Sequence, residues 1–378
     1  GLQFLCSSSE TTLKFYEELF GNLTRAAGEF AGVVLITYSE SWYHCRMWDQ
    51  QTTTPCPRCS QLPVHEMTAR FVEAVDRGVK RGCPDAFTAQ WIYTWGRGDR
   101  REGFRPLAPH IGLMHHVEKD FSYRKAGYTK SVWDYSIDYT GPSPEVQQLA
   151  AFAHETGRPL LVRTETGIGL EVFQFPYVPA LQHLAAKWQG VRSLRPAGVH
   201  QSWLFFGMAG TRAEELGFWA AYEPEKPAEQ FLREMAVRDF GADAADSALE
   251  SWAAMSRAVT HLPCIQLPSY YVGPTFLGPC HPLVPSARDA VPDVFHGYLH
   301  YLQEDEETFS RKPVEQARIC LVMADLPPTS RNVGVVPDDP ASDGWELVAR
   351  EYAAAADEAK QAWRCLQAAS EKTRTAED

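Results

Sequence analysis

The stretch Gly32-Val33-Val34-Leu35-Ile36-Thr37 decides the predicted fold, because it is a continuous run of apolar and mostly β-branched residues. Such a run is typical of a strand that is buried on both faces of a parallel sheet. Apolar side chains with a helical period follow at residues 64–82. The alternation continues with predicted strands at Phe87–Trp95, Ile111–Val117, Ser131–Tyr139, Pro159–Thr164 and Val199–Phe206, and with predicted helices at Pro144–Thr156 and Val178–Gln189.

Strands and helices in alternation predict a parallel sheet with crossover helices. We therefore predict an α/β fold, a TIM-like (β/α)8 barrel over residues 1–225. Fewer than eight strands can be counted, even with a short candidate at Leu2–Cys6, whereas a closed barrel needs eight. Either the early units are missing from this chain or the sheet closes differently. A doubly wound open sheet is the structural alternative, although no Gly-rich phosphate loop follows any predicted strand.

The region at 226–378 is predicted to be mainly helical. Its candidate helices are Ala228–Phe240, Ala244–Val259, His296–Leu302, Val314–Ala324 and Trp345 to about Glu371, with a Pro- and Gly-rich segment at 262–294.

Composition limits the classes of partner. The formal net charge of −12 argues against nucleic acid and against an anionic membrane surface, since both are bound through Lys and Arg. We expect no signal peptide, the sequence has no apolar stretch of transmembrane length, and its nine cysteines are an odd number. A soluble, cytoplasmic protein is the expectation. A start without Met suggests that the natural N-terminus lies elsewhere.

Glu40 is the strongest candidate for a catalytic residue. It comes just after the Val33–Thr37 strand, where parallel barrels carry their chemistry, and it is surrounded in sequence by Tyr38, Trp42 and Tyr43. Partial desolvation among these rings would raise the pKa of the carboxyl group, which suits a general acid. The alternative is a glutamate that accepts hydrogen bonds from the loop backbone.

Glycosidic cleavage commonly needs a second carboxyl group. Glu171 and Asp134 are the preferred candidates, and Glu118 is a weaker one. Each of them could instead be a structural hydrogen-bond acceptor. The same applies to their neighbours Glu165, Asp138 and Asp120.

Aromatic and polar residues cluster near the predicted strand ends and are candidates for sugar binding. An indole face stacks on the C–H face of a sugar, although burial in a core explains any single Trp equally well. The predicted substrate-binding residues are Trp91, Trp95, Glu118, Trp133, Tyr135, His200, Gln201 and Trp203.

Three cysteines have the character of a metal site. Cys45, Cys56 and Cys59 could hold a structural Zn²⁺, with His44 or Cys83 as a further ligand. A disulfide and free buried thiols are the alternatives. His115 and His116 beside Glu118 could also be read as a catalytic metal site, without ligand spacing to support it.

Several stretches together resemble bacterial proteins described as family 20 glycoside hydrolase-like, which are related to β-N-acetylhexosaminidases. They are Leu35–Glu40 with His44-Cys45 and Cys56–Cys59; Trp133–Ser136 with Thr140–Pro142; Glu171 with Phe175–Pro179; and Gly198–Trp203. The resemblance implies a barrel preceded by a small α/β domain, and a general acid at Glu40. The family places an Asp before that acid to steady the substrate's 2-acetamido group, whereas this chain has Ser39.

The sequence therefore predicts an exo-acting glycoside hydrolase for a β-linked sugar, an N-acetylhexosamine being one candidate. Glu40 would be the general acid/base, with Glu171 or Asp134 as nucleophile or second base. The expected partner is a carbohydrate, the C-terminal helices could form a homodimer, and no cofactor is required. The alternatives are a non-catalytic carbohydrate-binding barrel and a metal-dependent sugar isomerase or lyase.

Overall fold

The chain has a mixed α/β fold whose main feature is a five-stranded parallel sheet. It separates into two compact units, which are described individually: unit 1 comprises 1–117, 143–163 and 194–200, and unit 2 comprises 118–142, 164–193 and 201–378. The computed structural model describes residues 5–38, 56–93, 99–119, 121–125, 127–132, 136–166, 177–201, 210–262, 335–339 and 344–377.

The described part of the chain contains eight strands and eight α-helices. The strands are β1 (Gly32–Tyr38), β2 (Phe87–Ile92), β3 (Gly112–His116), β4 (Phe121–Lys125), β5 (Tyr128–Val132), β6 (Leu160–Thr164), β7 (Gly198–Gln201) and β8 (Val335–Pro337). The helices are α1 (Glu10–Ala27), α2 (Val64–Gly82), α3 (Pro144–Glu155), α4 (Leu181–Ser193), α5 (Arg212–Tyr222), α6 (Ala228–Phe240), α7 (Ala245–His261) and α8 (Gly344–Glu377).

The parallel sheet has the strand order β1-β2-β3-β6-β7. Its parallel strands follow one another in chain order, with Leu35 beside Gln90, Gln90 beside Leu113, and Leu113 beside Leu160. In a doubly wound sheet, the order of the strands reverses at a switch point. No such reversal occurs among the described strands, and an order that follows the chain is also the order found in a (β/α) barrel. A complete barrel of eight strands is not shown.

The sheet is curled, so that side chains on its inner face converge. β2 and β7 are separated by two strands, which in a flat sheet would place them about 14 Å apart at ~4.8 Å per interval. Nevertheless the rings of Trp91 in β2 and His200 in β7 have centroids only 6.3 Å apart. This curvature brings residues from distant strands into one cluster.

The prediction of a strand at Ser131–Tyr139 is wrong in its bounds. The structure instead has an antiparallel hairpin, in which β4 pairs with β5 around a turn at Gly127 with φ +87°. The alternating pattern of Phe121–Lys125 fits a strand with one exposed face, which differs from the continuous apolar run of the parallel strands. β8 adds a third strand beside β5, giving a small second sheet in unit 2.

The helices α1 and α2 of unit 1 pack side by side and run in the same direction. Glu10 pairs with Arg70, and seven residues further on the Glu17 Oε2 atom lies 2.9 Å from Arg77 Nε. Close approach of the backbones requires Gly78, since an added Cβ would collide with the carbonyl oxygen of Glu17. The N-terminal ends of α1 and α2 consequently lie at the same end of the pair.

The C-terminal prediction is confirmed for the helices that the structure describes. α6, α7 and α8 lie at or near their predicted positions, and the Ser251 hydroxyl of α7 donates to the Ala362 carbonyl of α8 at 2.8 Å. The predicted helices at His296–Leu302 and Val314–Ala324 lie outside the described residues. Within the described ranges, no helix combines the length and the apolar character needed to cross a membrane.

Candidate functional site

An inner-face cluster forms where the curled sheet brings two buried polar residues and one half-buried histidine together with Trp91. It consists of Trp91 on β2, His116 on β3, Arg163 on β6 and His200 on β7, all in unit 1. The Trp91 ring centroid lies 5.1 Å from that of His116. His116 and Arg163 are direct neighbours in the register of β3 and β6. Sequence reasoning missed Arg163, although a charged residue in the apolar run Leu160–Thr164 is an unusual feature.

The inner-face cluster is electropositive and rich in hydrogen-bond donors. Arg163 Nη1 lies 3.1 Å from His116 Nδ1, and a guanidinium can only donate, so Nδ1 is the acceptor and His116 is the neutral tautomer with its proton on Nε2. Burial and the nearby Arg163 charge both lower the pKa of His200, which is therefore also neutral at pH 7. Neutral imidazoles beside a permanent cation suit the binding of hydroxyl oxygens or of a carboxylate.

His115 and His116 point to opposite faces of β3, as adjacent strand residues do. His115 Nε2 lies 3.3 Å from Glu145 Oε2 of α3, while the other Glu145 oxygen accepts from Arg100 Nε at 2.8 Å. Burial alone would raise the pKa of Glu145, but His115 and Arg100 outweigh it and the pKa is lowered. Because Glu145 lies beside His115 Nε2 and Arg163 donates to His116 Nδ1, the two histidines are poorly placed to share one metal ion.

Glu118 follows β3 by two residues and is completely buried in unit 2. Its Oε2 accepts from the Thr164 hydroxyl at 3.1 Å, and its Oε1 accepts from the Glu165 backbone N–H at 2.9 Å. Lys187 Nζ lies 3.1 Å from Oε1 and donates to the Ser136 carbonyl at 2.5 Å. Glu118 is thus a carboxylate that neutralises a buried lysine and holds the end of β6.

Asp138 is another buried carboxylate of unit 2. Its Oδ2 accepts from Lys130 Nζ at 2.6 Å and from the Tyr123 hydroxyl at 2.5 Å, and Lys125 Nζ lies 2.6 Å away. Burial would raise the pKa of Asp138, but the two ammonium groups outweigh burial and lower it. Asp138 is therefore committed to holding the β4–β5 hairpin.

The depressed pKa of Asp138 predicts a specific acid dependence of stability. The ion pairs of Asp138 with Lys125 and Lys130 stabilise the fold fully at pH values above the pKa of Asp138 in the unfolded chain. This stabilisation is lost as the pH falls through the lower pKa of Asp138 in the folded protein. The Asp138→Asn variant should be less stable than wild type at pH 7. This gap in the free energy of unfolding should narrow by up to about 1.4 kcal/mol per pH unit below about pH 4.

Chemical denaturation at a series of pH values measures that gap. Asp246→Asn is the control, because Asp246 is 79% exposed in its pair with Arg233. A constant difference between wild type and Asp138→Asn from pH 7 to pH 3 would contradict the assigned charge state.

A cysteine cluster lies at the N-terminal ends of α1 and α2 in unit 1. The Sγ atom of Cys6 lies 3.9 Å from that of Cys56 and 3.7 Å from that of Cys59. Backbone N–H groups of Cys59 and Arg58 lower the pKa of the Cys56 thiol to about 7. Sequence reasoning found Cys56 and Cys59 but missed Cys6, because fifty residues separate it from the nearest partner and no motif links them.

A cavity of about 400 Å³ lies beside β1 in unit 1, and its lining is mainly apolar. Its polar lining residues are Ser7, Thr12, Thr37 and Thr68, together with the hydroxyl-bearing Tyr16. The lining includes no carboxylate, and it does not include any of the predicted sugar-binding residues.

Trp91 and Gln201 are two of the predicted sugar-binding residues that the structure describes. Trp91 is 1% exposed, as expected of a core residue. Its predicted contact with a sugar stays a prediction. An added Cβ at Gly217 of α5 would collide with the Gln201 carboxamide and with Trp188 of α4. The Gln201 side chain thus packs against helices, a position that a structural role explains.

The remaining predicted site residues lie outside the described part of the chain, and their roles stay predictions. They are Glu40, Glu171 and Asp134 among the catalytic candidates; Trp95, Trp133, Tyr135 and Trp203 among the sugar-binding candidates; and Cys45 and His44 among the metal ligands.

Comparisons with known proteins give no relative from which a role could be transferred: no protein-family model, no curated protein and no solved structure matches the chain.

Proposed function

We propose that this chain is a glycoside hydrolase that removes a β-linked sugar from a chain end, with Glu40 as general acid/base. One observation carries the proposal. The parallel strands follow chain order as in a barrel, and Glu40 comes two residues after Tyr38, the last residue of β1. Barrel enzymes place their chemistry at the carboxyl ends of these strands.

The inner-face cluster supports a ligand with oxygen atoms that form hydrogen bonds, such as the hydroxyl groups of a sugar. Arg163 carries guanidinium donors, His116 can donate from Nε2 because its Nδ1 accepts from Arg163, and neutral His200 can both donate and accept a hydrogen bond. Sugar hydroxyls need both kinds of partner. In the proposal these side chains orient the sugar, while the carboxyl groups carry out the chemistry.

Glu171 and Asp134 remain our candidates for the second carboxyl group. The carboxylates of Glu118 and Asp138 are held by buried lysines, and removing such a lysine leaves an uncompensated charge. A nucleophile must be free to form a bond to the anomeric carbon. We therefore assign Glu118 a positioning role near the end of β6 in place of a direct sugar contact.

Two alternatives differ in what they predict. A non-catalytic carbohydrate-binding barrel would use the same inner-face cluster without turnover. A metal-dependent isomerase or lyase is less favoured, because His115 pairs with Glu145, whereas His116 receives a hydrogen bond from Arg163 on the other face.

A screen of aryl β-glycosides tests the proposal. We expect release of the aryl group from at least one sugar, and activity on glycosides without a 2-acetamido group, because Ser39 replaces the Asp that would steady that group. Paired substrates that differ only in the 2-acetamido group separate these two expectations. Calorimetric binding of a sugar that is never hydrolysed would favour the non-catalytic alternative.

A further inference from the structure

The cysteine cluster has the geometry of a metal site, although it has no part in the proposed sugar chemistry. The Sγ atoms of Cys6, Cys56 and Cys59 all lie within 4.8 Å of one another. Cys59 is fully buried and the other two are half-buried. Among the described residues, this is the only such grouping of three or more His, Cys, Asp or Glu ligand atoms.

The distances within the cysteine cluster fit a shared ion. Two thiolates on one tetrahedral Zn²⁺, with Zn–S of about 2.3 Å, are about 3.8 Å apart. The separations of Cys6 from Cys56 and Cys59 are 3.9 and 3.7 Å. A disulfide would need about 2.05 Å, and three sulfurs cannot all be paired.

The surrounding backbone accounts for the convergence. Cys56-Pro57-Arg58-Cys59 forms a tight turn, closed by the Ser60 N–H donating to the Cys56 carbonyl at 2.9 Å. The Cys6 carbonyl accepts from the Ser9 N–H at 2.9 Å, immediately before α1. Because α1 and α2 run in parallel, these two turns meet at the same end of the helix pair.

We propose that Cys6, Cys56 and Cys59 bind one Zn²⁺ as thiolates and so fasten the segment before α1 to the turn before α2. Each thiol releases its proton to solvent on coordination, and no oxidation or reduction is involved. The site is structural: it links two turns separated by some fifty residues, and its loss loosens the α1–α2 end of unit 1. Cys6 is the ligand that no sequence motif indicates.

Metal analysis of the purified, tag-free full chain tests the site. We expect one zinc per chain in wild type, a substantial loss of bound zinc in Cys6→Ser, and an unchanged content in the matched controls Cys83→Ser and Cys365→Ser. Those controls are free cysteines outside the cluster. Co²⁺ exchanged into wild type should show tetrahedral d–d bands and sulfur-to-cobalt charge transfer, and Cys6→Ser should weaken the latter.

A second measurement does not depend on a variant that folds. In the native wild-type chain, a thiol reagent should label the half-buried Cys6 and Cys56 only after a chelator is added, with the sites identified by mass spectrometry. Equal zinc in wild type and Cys6→Ser would overturn the proposal. So would labelling that ignores the chelator, or a mass lower by two hydrogens that shows a disulfide.

Discussion

Replacing Glu40 with Gln is expected to lower kcat for the best aryl β-glycoside by ~10²-fold or more, the usual contribution of a general acid. Gln keeps the shape of the side chain but cannot transfer a proton to the leaving oxygen. The loss should shrink when the leaving group is a strongly acidic phenol, which departs without protonation. Initial rates across a series of aryl glycosides would measure both effects.

Glu29→Gln provides the matched control, because Glu29 is exposed and lies just before β1. It should leave kcat and its dependence on the leaving group unchanged. Wild-type turnover by Glu40→Gln on poor leaving groups would remove Glu40 from the mechanism. That result would leave the conclusions on the fold and on the zinc site unchanged.

Replacing Lys187 with Met is expected to destabilise the protein by about 3–5 kcal/mol, the range for breaking a buried ion pair. Met has a similar length but cannot neutralise Glu118 or donate to the Ser136 carbonyl. Both partners are fully buried, so water cannot take the place of the ammonium group. The shift in the midpoint of chemical denaturation, followed by circular dichroism, measures the loss.

Two further variants show whether the loss comes from the buried charge. Lys360→Met removes an exposed lysine that pairs with Asp357, and should cost less than about 1 kcal/mol. The double variant Glu118→Gln with Lys187→Met should be more stable than Lys187→Met alone, since it no longer buries an unpaired charge. A single-variant loss below about 1 kcal/mol would contradict the pairing, because a buried pair must cost more than an exposed one.

Local sequence patterns were sufficient for the parallel strands. β1, β2, β3 and β6 were predicted within a few residues, because strands of a parallel sheet are continuous apolar runs. The predicted burial of β1 on both faces is wrong, since most of its residues are half-buried and Val34 is exposed. The hairpin of β4 and β5 was missed, since one exposed face dilutes the apolar pattern. α1 was also missed, although its glutamates and leucines favour helix.

The residues of the candidate site divide in the same way. Glu40 and Glu118 could be proposed from their positions after predicted strands. In a parallel sheet, residues that directly follow a strand lie at the carboxyl edge of the sheet. The amino-acid sequence by itself thus determined the α/β class, most strands of the sheet and the strand-end residues.

The tertiary structure alone decided which of these residues meet. Arg163 lies beside His116, Lys187 neutralises Glu118, and Cys6 joins Cys56 and Cys59. Each contact joins residues about fifty to seventy positions apart. Such pairings depend on strand order, on sheet curvature and on the parallel packing of helices, and no local spacing along the chain encodes those features.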